Sequence, residues 1–255
     1  MKIVCLYGSP RRQGNSAELA RRFLAAAEVH GAEICEYHLN NLTLRGCQGC
    51  NRCKQDLETC VLEDDLAPVL DAVFDADLVV FASPVYYGDV SAQLKMFIDR
   101  SFCYLRPGYI SLDQPSRLSA PKPLVFILTQ GHRDPQAFAD ILPRYSQLFR
   151  WIGFADVYPL RAVDVYHLGD ASCRDELLRE ADAVADDHPQ EDRVVHGALL
   201  AGQVQEHRHD GQVAEHRDIS TVGLHSGPFG HHGHRPDAGA RGGEPPPGGR
   251  GDPRL

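Results

Sequence analysis

Basic residues are in short supply in this chain of 255 residues. Its 26 Lys and Arg stand against 35 Asp and Glu, a formal charge of −9 at pH 7. Contact with a phosphate backbone needs a clustered cationic face, so this balance excludes a nucleic-acid partner. No run approaches the ~20 apolar residues of a membrane-spanning helix, and no membrane partner is expected. The apolar part of Met1–Tyr7 is too short for a signal peptide and leads directly into a glycine turn. A cytoplasmic location is therefore expected, and the eight cysteines are read as thiols, ligands or redox groups before disulfides. Internal repeats are also missing.

Composition divides the chain. Nine of the 13 histidines lie from His188 onward, and 13 of the 23 glycines follow residue 190. Stretches such as Gly-Pro-Phe-Gly-His-His-Gly-His (227–234) cannot bury enough apolar surface to offset chain entropy. Residues 1–187 are read as one folded domain and 188–255 as a low-complexity, disordered tail.

Within 1–187, short apolar runs alternate with helical periodicity. Ile3–Tyr7, Ala32–Leu39, Asp77–Ala82, Lys122–Thr129 and Ala155–Val163 read as strands, the second less apolar and at an edge. Asn15-Ser16 reads as the cap of a first helix, and Asp64 or Asp65 as the cap of a second. Further helices are expected from Ser91 to about Arg100, from Pro135 to Trp151, and from about Asp170–Ser172 onward. Five strands alternating with helices predict an α/β three-layer sandwich with a five-stranded parallel sheet.

The first loop, Gly8-Ser9-Pro10-Arg11-Arg12-Gln13-Gly14-Asn15-Ser16, joins a strand to a helix N-terminus. Unpaired N–H groups and the positive dipole end suit a phosphate there. The spacing is not Gly-x-Gly-x-x-Gly, and Asn15 stands where a triphosphate loop needs lysine. A terminal monophosphate fits better; an ordinary turn is the alternative. The second loop, Ser83-Pro84-Val85-Tyr86-Tyr87-Gly88, also follows a buried strand, where open α/β sheets bind ligands. Its two tyrosines and proline suit a planar ring, or simply cover the sheet edge.

Taken together, Gly8-Ser9-Pro10-Arg11…Gly14-Asn15-Ser16 and Ser83-Pro84-Val85-Tyr86-Tyr87-Gly88…Ser91-Ala92-Gln93-Leu94-Lys95…Asp99-Arg100 resemble the NAD(P)H-dependent FMN reductase and iron–sulfur flavoprotein family, over about residues 1–187. The resemblance implies a flavodoxin-like fold and bound FMN. It places the phosphate on Ser9, Arg11, Asn15 and Ser16, and the ring against Pro84, Val85, Tyr86, Tyr87 and Gly88. The third loop, Thr129-Gln130-Gly131-His132, would reach the ring's far edge through Gln130 and Gly131, on a looser match. Homodimers or homotetramers are implied as well.

Cys47, Cys50, Cys53 and Cys60 form Cys-x2-Cys-x2-Cys-x6-Cys. Four thiolates on one short loop suit a [4Fe–4S] cluster, whereas zinc more often takes two separated knuckles. Free or redox-active thiols are the alternative. The run resembles the cluster motif of the iron–sulfur flavoproteins. Cys5 and Cys35 read as core residues, and Cys103 and Cys173 receive no role.

The expected activity is FMN-dependent oxidation of NAD(P)H, with electrons passing to a quinone, a flavin or another small acceptor. A non-catalytic electron carrier paired with a ferredoxin-type protein is the rival. No side chain is assigned as acid or base, because the cofactor carries the chemistry.

Overall fold

Strands covered on both faces lose the apolar–polar alternation, and two here are buried almost throughout. Every residue is buried from Ile3 to Tyr7 in β1 (Lys2–Tyr7) and from Leu78 to Ser83 in β3 (Leu78–Tyr86). The computed structural model describes residues 1–187, and the low-complexity tail expected at 188–255 lies outside the described residues. With β2 (Glu33–His38), β5 (Lys122–Thr129) and β6 (Phe154–Ala162), these strands form a parallel sheet in the order β2-β1-β3-β5-β6. The five-stranded parallel sheet is thus present, with β2 at an edge as expected. A two-residue strand, β4 (Asp89–Val90), turns back antiparallel onto the end of β3.

Helices α1 (Asn15–Val29) and α5 (Asp175–Asp186) pack on one face of the sheet. Helices α2 (Ala67–Asp75), α3 (Ala92–Arg100) and α4 (Ile141–Ile152) pack on the other. Pro159 lies within β6, an edge strand, where a missing N–H costs least. Two helices begin later than the sequence suggests. Phe138 takes a positive φ of 64°, which breaks the helical run from Pro135, so α4 starts at Ile141. Arg174 is extended, with φ −114° and ψ 98°, so α5 starts at Asp175.

Phe81 anchors the second face. Its ring meets Phe97, Phe149 and Phe154 edge-on at 5.4, 5.5 and 5.7 Å, and it is fully buried. Phe81→Ala is expected to destabilise the domain by about 3–5 kcal/mol, because the surrounding rings cannot collapse into the space. Urea unfolding followed through Trp151 fluorescence measures this. A loss below about 1 kcal/mol would mean that the cluster repacks freely.

Candidate functional site

All five parallel strands point their carboxyl ends the same way, and connections leave in opposite directions from β1 and β3. That reversal opens a crevice in doubly wound sheets. Three loops and the segment after β6 meet there. The first loop is tied to the second by Gly8 N–H donating to Ala82 O at 2.8 Å. Gly8 is also required by space, since a Cβ would lie 2.6 Å from Ser91 Oγ and 2.9 Å from Leu94 Cβ.

Ser9 and Ser16 are buried in the first loop, and Arg11 is exposed at its rim. Ser9 Oγ accepts from Arg11 N–H at 3.1 Å, and a Cβ on Gly14 would sit 2.9 Å from that oxygen. The backbone therefore folds closely around Ser9 at the start of α1. Gly14, not Asn15-Ser16, is the N-cap, and no side chain caps the helix. The N–H groups of Asn15 and Ser16 belong to the first turn, where no intrahelical acceptor exists. The Asn15 side chain is committed elsewhere. Its amide donates to Val165 O and His167 O at 3.2 and 2.9 Å, and its Oδ1 accepts from Ala171 N–H at 3.1 Å. Asn15 thus pins the loop after β6 beside the first loop, and only its backbone N–H remains for an anion.

The second loop is shorter than the sequence suggests. Pro84, Val85 and Tyr86 continue β3, and Tyr86 pairs with Asp89 across a two-residue turn. Tyr87 and Gly88 both have positive φ, 51° and 78°, the pattern of a type I′ hairpin. Asn-Gly is usual there, and tyrosine is strained. The Tyr87 ring stands fully in solvent beside the half-exposed Tyr86. Asp89 fastens this hairpin to α4, accepting from Tyr145 Oη at 2.7 Å and from Arg144 at 3.1 Å. Burial alone would raise the Asp89 carboxyl, but these donors and the Val90 N–H outweigh it and hold it below the usual range. Tyr87→Asn is expected to stabilise the unliganded chain by about 1 kcal/mol, since asparagine tolerates the left-handed region. The same change tests the ring contact expected from the sequence: a loss of flavin affinity of about fivefold supports it, and an unchanged affinity overturns it. Urea unfolding and flavin fluorescence titration check the two halves separately.

Gln130 is buried, and its side chain is fully engaged. Nε2 donates to His132 O and Asp134 O at 3.0 and 3.1 Å, and Oε1 accepts from Arg161 at 2.6 Å. It shapes the third loop from within. Gly131 is exposed, and a Cβ there would meet the Tyr166 ring at 2.8 Å. The segment 165–171, held by Asn15 and by Val165 N–H on Gln130 O, is part of this rim and was not anticipated.

The four motif cysteines lie on a second site, and all four line one cavity of about 250 Å³ together with Arg100, Phe102 and Cys103. A zinc ion would need four sulfurs about 2.3 Å from one point. Among the described residues no three or more His, Cys, Asp or Glu side chains are placed together to hold a metal ion. The loop is braced by its neighbours. Arg117 donates to Cys53 O at 3.1 Å, and Lys54 donates to Phe102 O and Leu105 O at 2.6 and 2.8 Å. Arg100 is buried at the end of α3 and pairs with Asp64 at 2.8 Å. Asp64, expected as a helix cap, thus serves mainly as a counter-charge; burial opposes its ionisation, and Arg100 more than restores it. Burial, with Cys60 and Cys53 nearby, pushes the Cys103 thiol up to about 12. Cys5 is buried in β1 as expected, whereas Cys35 on edge strand β2 is only half-buried.

A larger cavity, about 1150 Å³, lies between segment 57–63, α2 and residues 103–117. It shares Cys60, Val61, Leu62 and Cys103 with the cysteine cavity and includes no residue of the three loops.

The family model described as NADPH-dependent FMN reductase matches residues 1–156. An iron–sulfur flavoprotein of Methanocaldococcus jannaschii is 43% identical over 101 residues, covering 40% of this chain and 52% of that protein. One from Archaeoglobus fulgidus is 39% identical over 104 residues, covering 41% and 47%. The chain spans about half the length of these curated relatives. A solved NAD(P)H:quinone oxidoreductase from Methanothermobacter marburgensis superposes with a TM-score of 0.58 at 20% identity, covering 74% of this chain and 99% of that one. That likeness supports the flavodoxin-like fold.

Proposed function

This chain belongs to the NADPH-dependent FMN reductase family, and from that premise we propose that it is an FMN-dependent NAD(P)H oxidoreductase delivering electrons to a quinone, a flavin or another small acceptor. The observation that carries the reading is the convergence of the three loops on the crevice where β1 and β3 diverge. Bound FMN would take a hydride from NAD(P)H and release electrons singly or in pairs.

The chain's own contribution is position and charge. The N–H groups of Asn15 and Ser16, the Ser9 hydroxyl and the Arg11 guanidinium would hold the phosphate at the α1 N-terminus. Pro84, Val85, Tyr86, Tyr87 and Gly88 would form the wall for the ring, the N–H groups of the hairpin residues Tyr87 and Gly88 stabilising negative charge on it. Gly131 keeps the far edge open, and Gln130 shapes that loop through its internal bonds. Tyr86, Tyr87, Tyr166 and Leu168 leave apolar surface exposed, which supports assembly into a homodimer or homotetramer. We assign FMN binding to residues 1–187.

Cys47, Cys50, Cys53 and Cys60 would hold a [4Fe–4S] cluster, which supplies one-electron steps when bound. The iron–sulfur relatives and the shared cysteine cavity support this assignment. They also keep a second reading in play, an electron carrier that exchanges with a ferredoxin-type protein. Anaerobic mixing of the FMN-loaded chain with NADPH or NADH separates the two. Bleaching of the visible flavin band within seconds supports the reductase; a flavin that stays oxidised with both nucleotides overturns it in favour of the carrier.

A further inference from the structure

Arg100 lines the cysteine cavity with one donor left over. Its Nη1 donates to Arg45 O at 3.1 Å and to both Asp64 oxygens at 2.9 and 2.8 Å. Nη2 donates to Leu62 O at 3.1 Å. Nε is buried and, among the described residues, has no partner. An unpaired buried donor on a charged group is costly, and such a group persists where something else accepts from it. The whole side chain is out of solvent, and the planar fork is fixed on one side by Asp64 and the two carbonyls. The cavity it shares with Cys60 and Leu62 is lined by five thiols and no carboxylate.

We infer that Arg100 is a positioning residue for the [4Fe–4S] cluster, its Nε–H donating to the Cys60 sulfur and its charge favouring the reduced cluster. The inference rests on the cluster reading above. Cys60 lines the same cavity as Arg100, two residues before the Leu62 carbonyl that Arg100 holds, and Asp64 pairs with the guanidinium from the other side. Reduction adds an electron to an already anionic group, so a buried cation beside one ligand stabilises the product more than the reactant. Hydrogen bonds to the sulfurs act in the same direction. Asp64 does not cancel this, because it faces the Nη1 side of the fork. Lys54 Nζ donates to Cys53 Sγ at 3.4 Å as well as to Phe102 O and Leu105 O, and so acts on a different sulfur from Arg100.

The test uses the full chain loaded anaerobically with ferrous iron and sulfide, with the cluster potential read by titration against its reduced-state paramagnetic signal. Arg100→Lys can reach Asp64 but leaves Cys60 without its donor. Reduction is expected to become at least tenfold less favourable, a shift of about 59 mV to more negative potential for one electron. Arg100→Met with Asp64→Asn removes both buried charges together, and the asparagine oxygen still accepts from Arg45 N–H, so this second variant keeps the loop braced if lysine proves disruptive, and the same shift is expected. Unchanged potential with iron and sulfide retained overturns the role of Arg100 and leaves the cluster reading standing. Loss of the cluster from both variants, with the wild type loaded, overturns the tuning role in favour of a structural one. A wild-type chain that takes up no iron and sulfide overturns the cluster reading and this inference with it.

Discussion

Arg11→Glu is expected to weaken FMN binding about 100-fold while leaving riboflavin binding nearly unchanged. The arginine is exposed, and its structural bonds come from the backbone: N–H to Ser9 Oγ, and C=O from Gly14 N–H. A glutamate keeps both bonds, so the loop and the fold should survive. A charge-assisted hydrogen bond to phosphate contributes about 1.5–3 kcal/mol, and reversal adds repulsion at the same place. Riboflavin lacks the phosphate, so the comparison isolates the anion site from the ring site. Quenching of flavin fluorescence on titration measures both affinities. Equal losses for the two flavins would move Arg11 to the ring; no loss for FMN would remove the first loop from the site.

β1 and β3 were legible in the sequence because burial on both faces makes an unbroken apolar run, and the glycine–proline turns bound them. The identity of the loops followed from their place at strand ends. What the loops' polar side chains do was not legible. Asn15 and Gln130 look like ligand contacts, yet both spend their amides on neighbouring carbonyls, 150 residues away for Asn15 with Val165. A short polar side chain in a loop reads alike whether it faces a ligand or ties two loops together. Tyr87-Gly88 gave no hairpin signal, because the turn it makes favours asparagine at the first position. Arg100 enters the sequence reading only as a helix end and as part of the family motif beside Asp99, yet its partner is Asp64, 36 residues earlier. Cys103, outside the motif and without a spacing to betray it, shares the cavity with the four cysteines.

The cysteine loop offers the other large effect. Cys50→Ala should abolish stoichiometric uptake of iron and sulfide while changing stability by less than about 0.5 kcal/mol, the range of ordinary surface substitutions. Cys50 is exposed, and nothing in the bracing of the loop depends on its sulfur. Arg117 holds Cys53 O, Lys54 holds the 102–105 turn, and Asp64 accepts from Arg45 N–H at 3.0 Å. The apo loop therefore keeps its course when one thiol is removed, and the loss falls on the metal group alone. FMN affinity should stay within about twofold, since the cysteine cavity and the three loops share no residue. Iron and sulfide analysis, the visible spectrum and a urea midpoint on the same preparation read the three quantities together. If the four cysteines are instead redox-active thiols, the wild type binds no iron and Cys50→Ala changes only its thiol count. If a zinc ion occupies the loop, metal analysis finds zinc without sulfide, and the broad visible absorption of an iron–sulfur cluster is absent from the wild type as well.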